Sequence, residues 1–305
     1  MTAGTPLAVV CIAGGVVDLE PWRERVDAII LPGLAGQGVS AALARILTGE
    51  VSPSARLAET IPLALSDTPS HLSFPGTAES GAYGEDIFVG YRGYDELLRD
   101  VAFPFGHGLT YSEFAYSDPE VHAAGDGWEA SLHVRNVGAV TARDVVQLYL
   151  GAPTAAARRA PNELIGFAAA ELSPGESTRV VIEVGQRAFA RWDERRGWAT
   201  DAGIHVLRFA RSSRDIIATV DLEVAASGAQ AELTPGSTLS EWLDHPVAGP
   251  RLLERVRELD AVGNTIGLLT DPTARLMIGG LPIRRLTVDA GNVLSPQLLD
   301  EVRPH

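Results

Sequence analysis

Lysine is absent: all 25 basic side chains are arginines, against 39 acidic ones, and the formal charge is −14. No polybasic run exists to displace counterions from a phosphate backbone, so nucleic acid and anionic membrane are disfavoured as partners. Cysteine is nearly absent too. Cys11 alone cannot form an intrachain disulfide, and no second thiol supplies the spacing of a structural zinc site. No stretch approaches the roughly 20 apolar residues of a membrane-spanning helix. The apolar run Leu7–Val17 resembles the core of an export signal, yet no Arg or Lys precedes it. It is therefore expected to be a buried strand, with a cytoplasmic location as the default. What remains is ordinary globular material: 305 residues, 46% hydrophobic, with 31 Gly and 19 Pro. That length allows two or three domains.

Apolar runs at 7–13 and 28–31, separated by helix-start chemistry, predict strand, short helix, strand. After Pro32 come Gly33, Gly36 and Gly38, then Val39, Leu43, Ile46 and Leu47 at helical spacing, stopped by Gly49. This alternation is that of parallel α/β structure, but two strands do not make a domain. Between about 50 and 118 the periodicity disappears into Pro, Gly, Ser and aromatics, which predicts a packed connector rather than a free linker. From Trp128 the period becomes two, with Trp128, Ala130, Leu132 and Val134 alternating with Glu129, Ser131, His133 and Arg135. Further strands are expected at 145–150, 164–170, 177–184, 204–209 and 218–224. Their count and spacing are those of an immunoglobulin-like or fibronectin type III sandwich. Beyond 226 the pattern is helical. Thr238-Leu-Ser-Glu241 reads as a capping box, and Asp271-Pro272 and Ser295-Pro296 as caps followed by first-turn prolines. Leu252, Leu253, Val256 and Leu259 form one apolar stripe, and Leu276, Met277, Ile278 and Leu281 belong to another, both expected to dock against a larger body.

Ala13–Asp18, Leu31–Gly38, Gly49–Leu57 with Thr60-Ile-Pro62, Tyr83-Gly-Glu-Asp-Ile-Phe-Val-Gly-Tyr-Arg-Gly-Tyr-Asp95, and Phe103-Pro-Phe-Gly-His-Gly-Leu-Thr-Tyr111 stand out as motifs. Together they resemble the family 3 glycoside hydrolases, whose best-known members are β-glucosidases. The similarity is to the C-terminal portion of that family. Asp144–Gly151, Glu163–Phe167 and Leu172–Glu176 are similar to its fibronectin III-like domain. The implied fold is an α/β fragment, the end of an α/β sandwich domain, followed by an all-β fibronectin III/immunoglobulin-like sandwich and a short helical tail. The expected boundaries are 1–65 for the α/β remnant, 66–118 for the connector, 119–225 for the sandwich and 226–305 for the helical extension.

Retaining glycosidases need two carboxyl groups about 5 to 5.5 Å apart. The resemblance implies a nucleophilic Asp on an N-terminal (β/α)₈ barrel and an acid/base Glu upstream of the matched region, and neither position is present in this sequence. No catalytic, substrate-binding or metal-ligating residue is therefore assigned, and no cofactor is implied. The expectation is a scaffolding C-terminal part of a β-glucosidase-like hydrolase, incomplete alone. It comes from a truncated gene, or it partners a separately encoded barrel half or itself, and a β-glycoside is substrate only for the complete enzyme. Exposed apolar surface is expected near residues 7–49. The alternative is a stand-alone carbohydrate- or protein-binding fibronectin III-like module.

Glu85 and Asp86 are adjacent carboxylates, better explained by a turn or an Arg92 partner than by acid/base chemistry. His107, between Gly106 and Gly108, could act as a base, but a structural histidine in a tight turn is preferred. The Gly33–Gly38 cluster matches neither a P-loop nor a dinucleotide fingerprint. Asp193-Glu194 is expected in a solvated turn, and Arg158-Arg159 in a solvated loop. Trp192 and Trp198 could stack on a sugar, but burial against the sandwich core is the expectation.

Overall fold

The computed structural model describes residues 4–77, 79–151, 159–193, 197–227, 233–260, 264–289 and 294–303. The chain divides into two compact units. One runs as far as Arg191 and resumes over Ala199–Ser227; the other comprises Trp192–Trp198 and the residues from 228 onward.

In the first unit β1 (Ala8–Val10) and β2 (Ala28–Ile30) pair in parallel with Val9 opposite Ile29, and α1 (Val39–Leu47) follows. The stretch between the strands makes one 3₁₀ turn, Arg23–Arg25. The expected buried strand is not buried: β1 is partly exposed, as are Leu7, Ile12, Val16, Leu34 and Leu47 around it. The reason is geometric, since a parallel sheet is normally covered on both faces and one helix with two strands cannot do that. Before the connector comes β3 (Ile61–Pro62), and the connector contains the short helix α2 (Tyr91–Glu96) and β4 (Val101–Phe103), with Ile61 opposite Phe103 in antiparallel pairing.

The sandwich has seven strands, in keeping with the count of about seven expected; six coincide with the segments placed from sequence and the first does not. Four are β5 (Phe114–Ala124), β6 (Gly127–Asn136), β7 (Ala142–Gly151) and β8 (Asn162–Leu172). Next comes β9 (Ser177–Val184), and then β10 (Arg191–Asp193) and β11 (Gly197–Ala199), which form a small separate ribbon. The last two sandwich strands are β12 (Gly203–Ala210) and β13 (Ile216–Val224). The sheets run β5-β6-β9 and β13-β12-β7-β8. Strand β5 starts at Phe114, within the stretch read from sequence as connector, because its inner face is only partly apolar and interrupted by Ser117–Glu120, where the register with β6 shifts. Leu132, Val134, Val146, Leu148, Leu150, Ile182, Leu207 and Phe209 fill the core. Full burial of such side chains is worth about 1.5–3 kcal/mol each relative to exposure. Ser131, expected on the wet face of β6, is buried because Arg179 reaches over from β9 and donates to its hydroxyl at 2.7 Å.

The second unit carries α3 (Leu239–Asp244), α4 (Ala248–Leu259), α5 (Asn264–Thr270), α6 (Pro272–Ile278), α7 (Ile283–Asp289) and α8 (Pro296–Val302). All three predicted caps form. Thr238 and Glu241 make a reciprocal capping box, while Asp271 and Ser295 accept from Ala274 N and Leu298 N. Leu239, Trp242, Leu252, Val256, Ile283 and Leu298 make its core. The second apolar stripe is only half realised: Ile278 and Leu281 pack, whereas Leu276 and Met277 are exposed. Leu276, Met277 and Ile278 are consecutive in α6 and spread over about 200° of its circumference, so they cannot share one buried face, and Leu281 lies beyond its end. No described helix is long and apolar enough to cross a membrane.

Candidate functional site

Strand β7 is buried on both faces, and that fact locates the site. Val146, Leu148 and Leu150 point into the sandwich core, so alternation sends Gln147 and Tyr149 to the opposite face. There the two sequence motifs cover them. Gln147 Nε2 donates to the carbonyls of Gly106 at 2.9 Å and Arg211 at 2.7 Å, and its Oε1 accepts from Tyr149 Oη at 2.6 Å. Gly106 lies at φ +78°, and a Cβ there would stand 2.1 Å from Gln147 Oε1, so both the backbone conformation and the space require glycine. Phe105 stacks on Tyr91 with ring centroids 4.5 Å apart, and Tyr91 meets Tyr149 edge-on at 6.1 Å. The Tyr91 hydroxyl accepts from Leu164 N of β8 at 2.8 Å. Burial, with Tyr91 and Asp95 nearby, pushes the Tyr149 phenol well above its usual range, so it remains a proton donor.

Two ion pairs flank this aromatic stack. Arg56 donates to Asp144 Oδ1 at 2.8 Å and to the Gly108 carbonyl at 2.5 Å, and Tyr116 Oη donates to Asp144 Oδ2 at 3.0 Å. Only 2% of the Asp144 side chain is exposed. Burial, reinforced by the Asp144 charge, raises the Tyr116 phenol as well. On the other flank Arg214 donates to Asp95 Oδ1 at 2.9 Å and to the Arg99 carbonyl at 2.7 Å. Burial outweighs this partner and leaves the Asp95 carboxyl above its usual range. A further bond anchors the second motif to the α/β segment, where Tyr111 Oη donates to the Ile46 carbonyl of α1 at 2.8 Å.

His107 behaves as the structural reading has it. Its carbonyl accepts from Leu57 N at 2.8 Å, its amide donates to the Pro104 carbonyl at 3.1 Å, and its ring stacks on Phe103. Burial, and then the Arg56 charge, push the imidazole below its ordinary value. The Glu85 carbonyl closes a turn by accepting from Phe88 N at 2.8 Å, while the Arg92 guanidinium lies 5.9 Å from the centre of the Tyr91 ring. The Gly33–Gly38 cluster leads through one 3₁₀ turn straight into α1.

Two expectations fail. Arg159 is not solvated: it donates to Glu163 at 2.6 Å and to the Phe189 carbonyl at 2.8 Å. Trp192 and Trp198 are not in the sandwich core, being 61% and 51% exposed. They meet edge to face at 5.5 Å on β10 and β11, strands too short to turn their rings inward. Arg158 and Glu194 lie outside the described residues. Sequence reasoning missed Arg56, Gln147, Tyr149 and Arg214. Gln147 carried a signal, because a polar residue inside Val145-Val-Gln-Leu-Tyr-Leu150 must find partners when the strand is buried. Among the described residues, no cluster of three or more His, Cys, Asp or Glu side chains is placed to hold a metal ion.

The arrangement is a joint: aromatic stacking and neutralised charges lock the connector motifs onto one face of a sandwich. Residues 1–111 match the glycosyl hydrolase family 3 C-terminal domain, and residues 144–213 the fibronectin type III-like domain. An exo-α-(1→6)-L-arabinopyranosidase of Bifidobacterium longum is 34% identical over 304 residues, covering 98% of this chain and 40% of that protein. Thermostable β-glucosidase B of Acetivibrio thermocellus is 34% identical over 303 residues, with 97% and 40% covered. The crystal structure of a Bifidobacterium adolescentis family 3 β-glucosidase superposes with a TM-score of 0.76 at 38% identity, over 80% of this chain and 36% of that one. The chain belongs to the family 3 glycoside hydrolases, as their C-terminal portion, and spans about 40% of the length of the curated relatives it matches.

Proposed function

We propose that this chain is the scaffolding C-terminal part of a β-glucosidase-like hydrolase and does not cleave glycosides alone. In this proposal residues 1–65 complete an α/β domain, 66–118 bolt it to the sandwich, and the sandwich holds the domain's C-terminal end rigid. The nucleophile and acid/base come from a (β/α)₈ barrel and the upstream α/β region, in a longer polypeptide or a separate chain. The observation that carries the proposal is the joint itself. Its two buried carboxylates, Asp95 and Asp144, are each engaged by an arginine and serve packing, so neither is free as a nucleophile. The relatives are named for both β-glucosidase and α-L-arabinopyranosidase activity, so the substrate is proposed only as a pyranoside, with an aryl β-glucoside the first to try.

The test is hydrolysis of an aryl β-glucoside by the purified chain, alone and mixed with the barrel-bearing half of a family member. Silence alone and turnover on mixing are expected. Turnover by the chain alone would overturn the proposal.

A further inference from the structure

The outer face of the β5-β6-β9 sheet holds a groove that takes no part in the joint. On β6, Leu132 and Val134 point into the sandwich core, so alternation turns His133 and Arg135 to the opposite face. Strand pairing sets their neighbours: Arg135 stands between Ala115 of β5 and Ser177 of β9, and His133 between Ser117 and Arg179. Ala115, Ser117 and Ser177 are small, and the space above them stays open as a groove of about 230 Å³, bordered also by Tyr116 and Asp118.

The groove is polarised along its length. Following β5, Ala115 lies opposite Arg135, Ser117 opposite His133, and Asp118 comes next, which puts a cation towards one end and a carboxylate towards the other. Neighbouring Arg179 is already engaged, donating to Glu120 at 3.0 Å and to the Ser131 hydroxyl at 2.7 Å. The Arg135 guanidinium, by contrast, has no ion-pair or hydrogen-bond partner among the described residues, although carboxylates are plentiful in a chain of formal charge −14. Asp118 is held by the Ser117 hydroxyl, which donates to Oδ2 at 2.9 Å. It sits at φ +50°, where residues other than glycine are uncommon, and at the point where the register of β5 against β6 shifts. Strained backbone and bulges of this kind re-aim side chains and cluster at binding sites.

We infer that this groove binds a small hydroxylated anion, a sugar phosphate or a sugar acid, with its anionic group on Arg135 and its hydroxyls donating to Asp118. A guanidinium matches the paired oxygens of a phosphate or carboxylate, and the His133 ring and the Ser177 hydroxyl stand beside it as further donors. A bare anion would meet Asp118 as a repelling charge, and a neutral sugar would leave Arg135 unused; a ligand carrying both kinds of group satisfies both. The volume is below the roughly 300–1,000 Å³ of pockets for larger ligands, so it suits one ring rather than an oligosaccharide. The net charge of the chain disfavours a polyanion. The site lies wholly on the sandwich and does not rest on the proposed hydrolytic role.

The experiment is a titration of the full 305-residue chain with glucose 6-phosphate, glucuronate, glucose and inorganic phosphate in turn, read by ¹H–¹⁵N spectra. Saturating backbone shifts centred on 115–118, 133–135 and 177 are expected for one or both sugar anions at a Kd of about 1 mM, with glucose and phosphate at least about tenfold weaker. Which sugar anion binds distinguishes a phosphate ester from a carboxylate. Arg135→Gln and Asp118→Asn should each weaken that binding at least about tenfold, whereas Asp118→Asn should not weaken the binding of inorganic phosphate. Both positions are exposed, and Asn tolerates the backbone of Asp118, so the variants keep the fold. If one nevertheless unfolds, the wild-type shift map decides, and shifts centred elsewhere overturn the inference. No shift with either sugar anion, or unchanged binding in the folded variants, would also overturn it. So would phosphate bound as tightly as the sugar anions, which would mark an adventitious anion site only, or glucose bound as tightly, which would show Arg135 to be idle. No hydrolysis is read, so the result is independent of whether the chain reconstitutes an active enzyme.

Discussion

The His107 imidazole shows how one buried side chain ties stability to pH. Its folded pKa lies below the usual 6.5 because of burial and then Arg56, so on acidification the unfolded chain takes up the proton first. The stability associated with the neutral ring is fully present above about pH 6.5 and is lost as pH falls through the folded value. Asp95 has the opposite sign, since its raised pKa makes the folded state bind a proton more readily. The prediction is therefore a difference: between about pH 7.5 and 5, the urea midpoint of the wild type falls more steeply than that of His107→Gln. Parallel slopes would show that His107 is not the titrating group. At this scale the structural role of His107 was legible from its glycine neighbours. The fates of Arg159 and Trp192 were not, because nothing local specifies what lies above a side chain.

Among elements, the joint between the connector and β7 depends on the Arg56–Asp144 pair. Removing the cation leaves a carboxylate with almost no access to water, and breaking a buried pair in this way costs about 3–5 kcal/mol. Arg56→Ala should lower stability by that amount in equilibrium denaturation, and adding Asp144→Asn should restore a substantial part by removing the stranded charge. An additive double variant would show that the two residues do not interact. Strands such as β6 and β9 were legible because one wet face writes a period of two into the sequence, whereas β5, with its interrupted inner face, was not. The short helix α2 was not, because six residues with Gly93 among them give too little of the 3.6 period to register.

For the whole molecule, the exposed apolar side chains Leu7, Ile12, Val16, Leu34 and Leu47 surround a parallel strand pair that lacks a covering layer. Contiguous apolar surface of this kind promotes association. The chain is expected to self-associate in light scattering at about 50 μM, a concentration suited to weak contacts. The double variant Ile12→Arg with Leu34→Arg should shift it toward monomer, whereas Leu276→Arg with Met277→Arg, on the helical tail, should not. A monodisperse wild-type monomer, or an equal effect of both variants, would contradict this.

The sequence by itself determined six of the seven sandwich strands, the three helix caps and the motifs that mark the family, because each depends on residues within one turn or one strand of each other. Tertiary structure alone decided that Gln147 supports Gly106, that Arg56 neutralises Asp144 from 88 residues away, and that Trp192 and Trp198 stay outside the sandwich core. Burial and ion pairing are collective: they depend on which surfaces meet, and no local pattern encodes the far side of a contact.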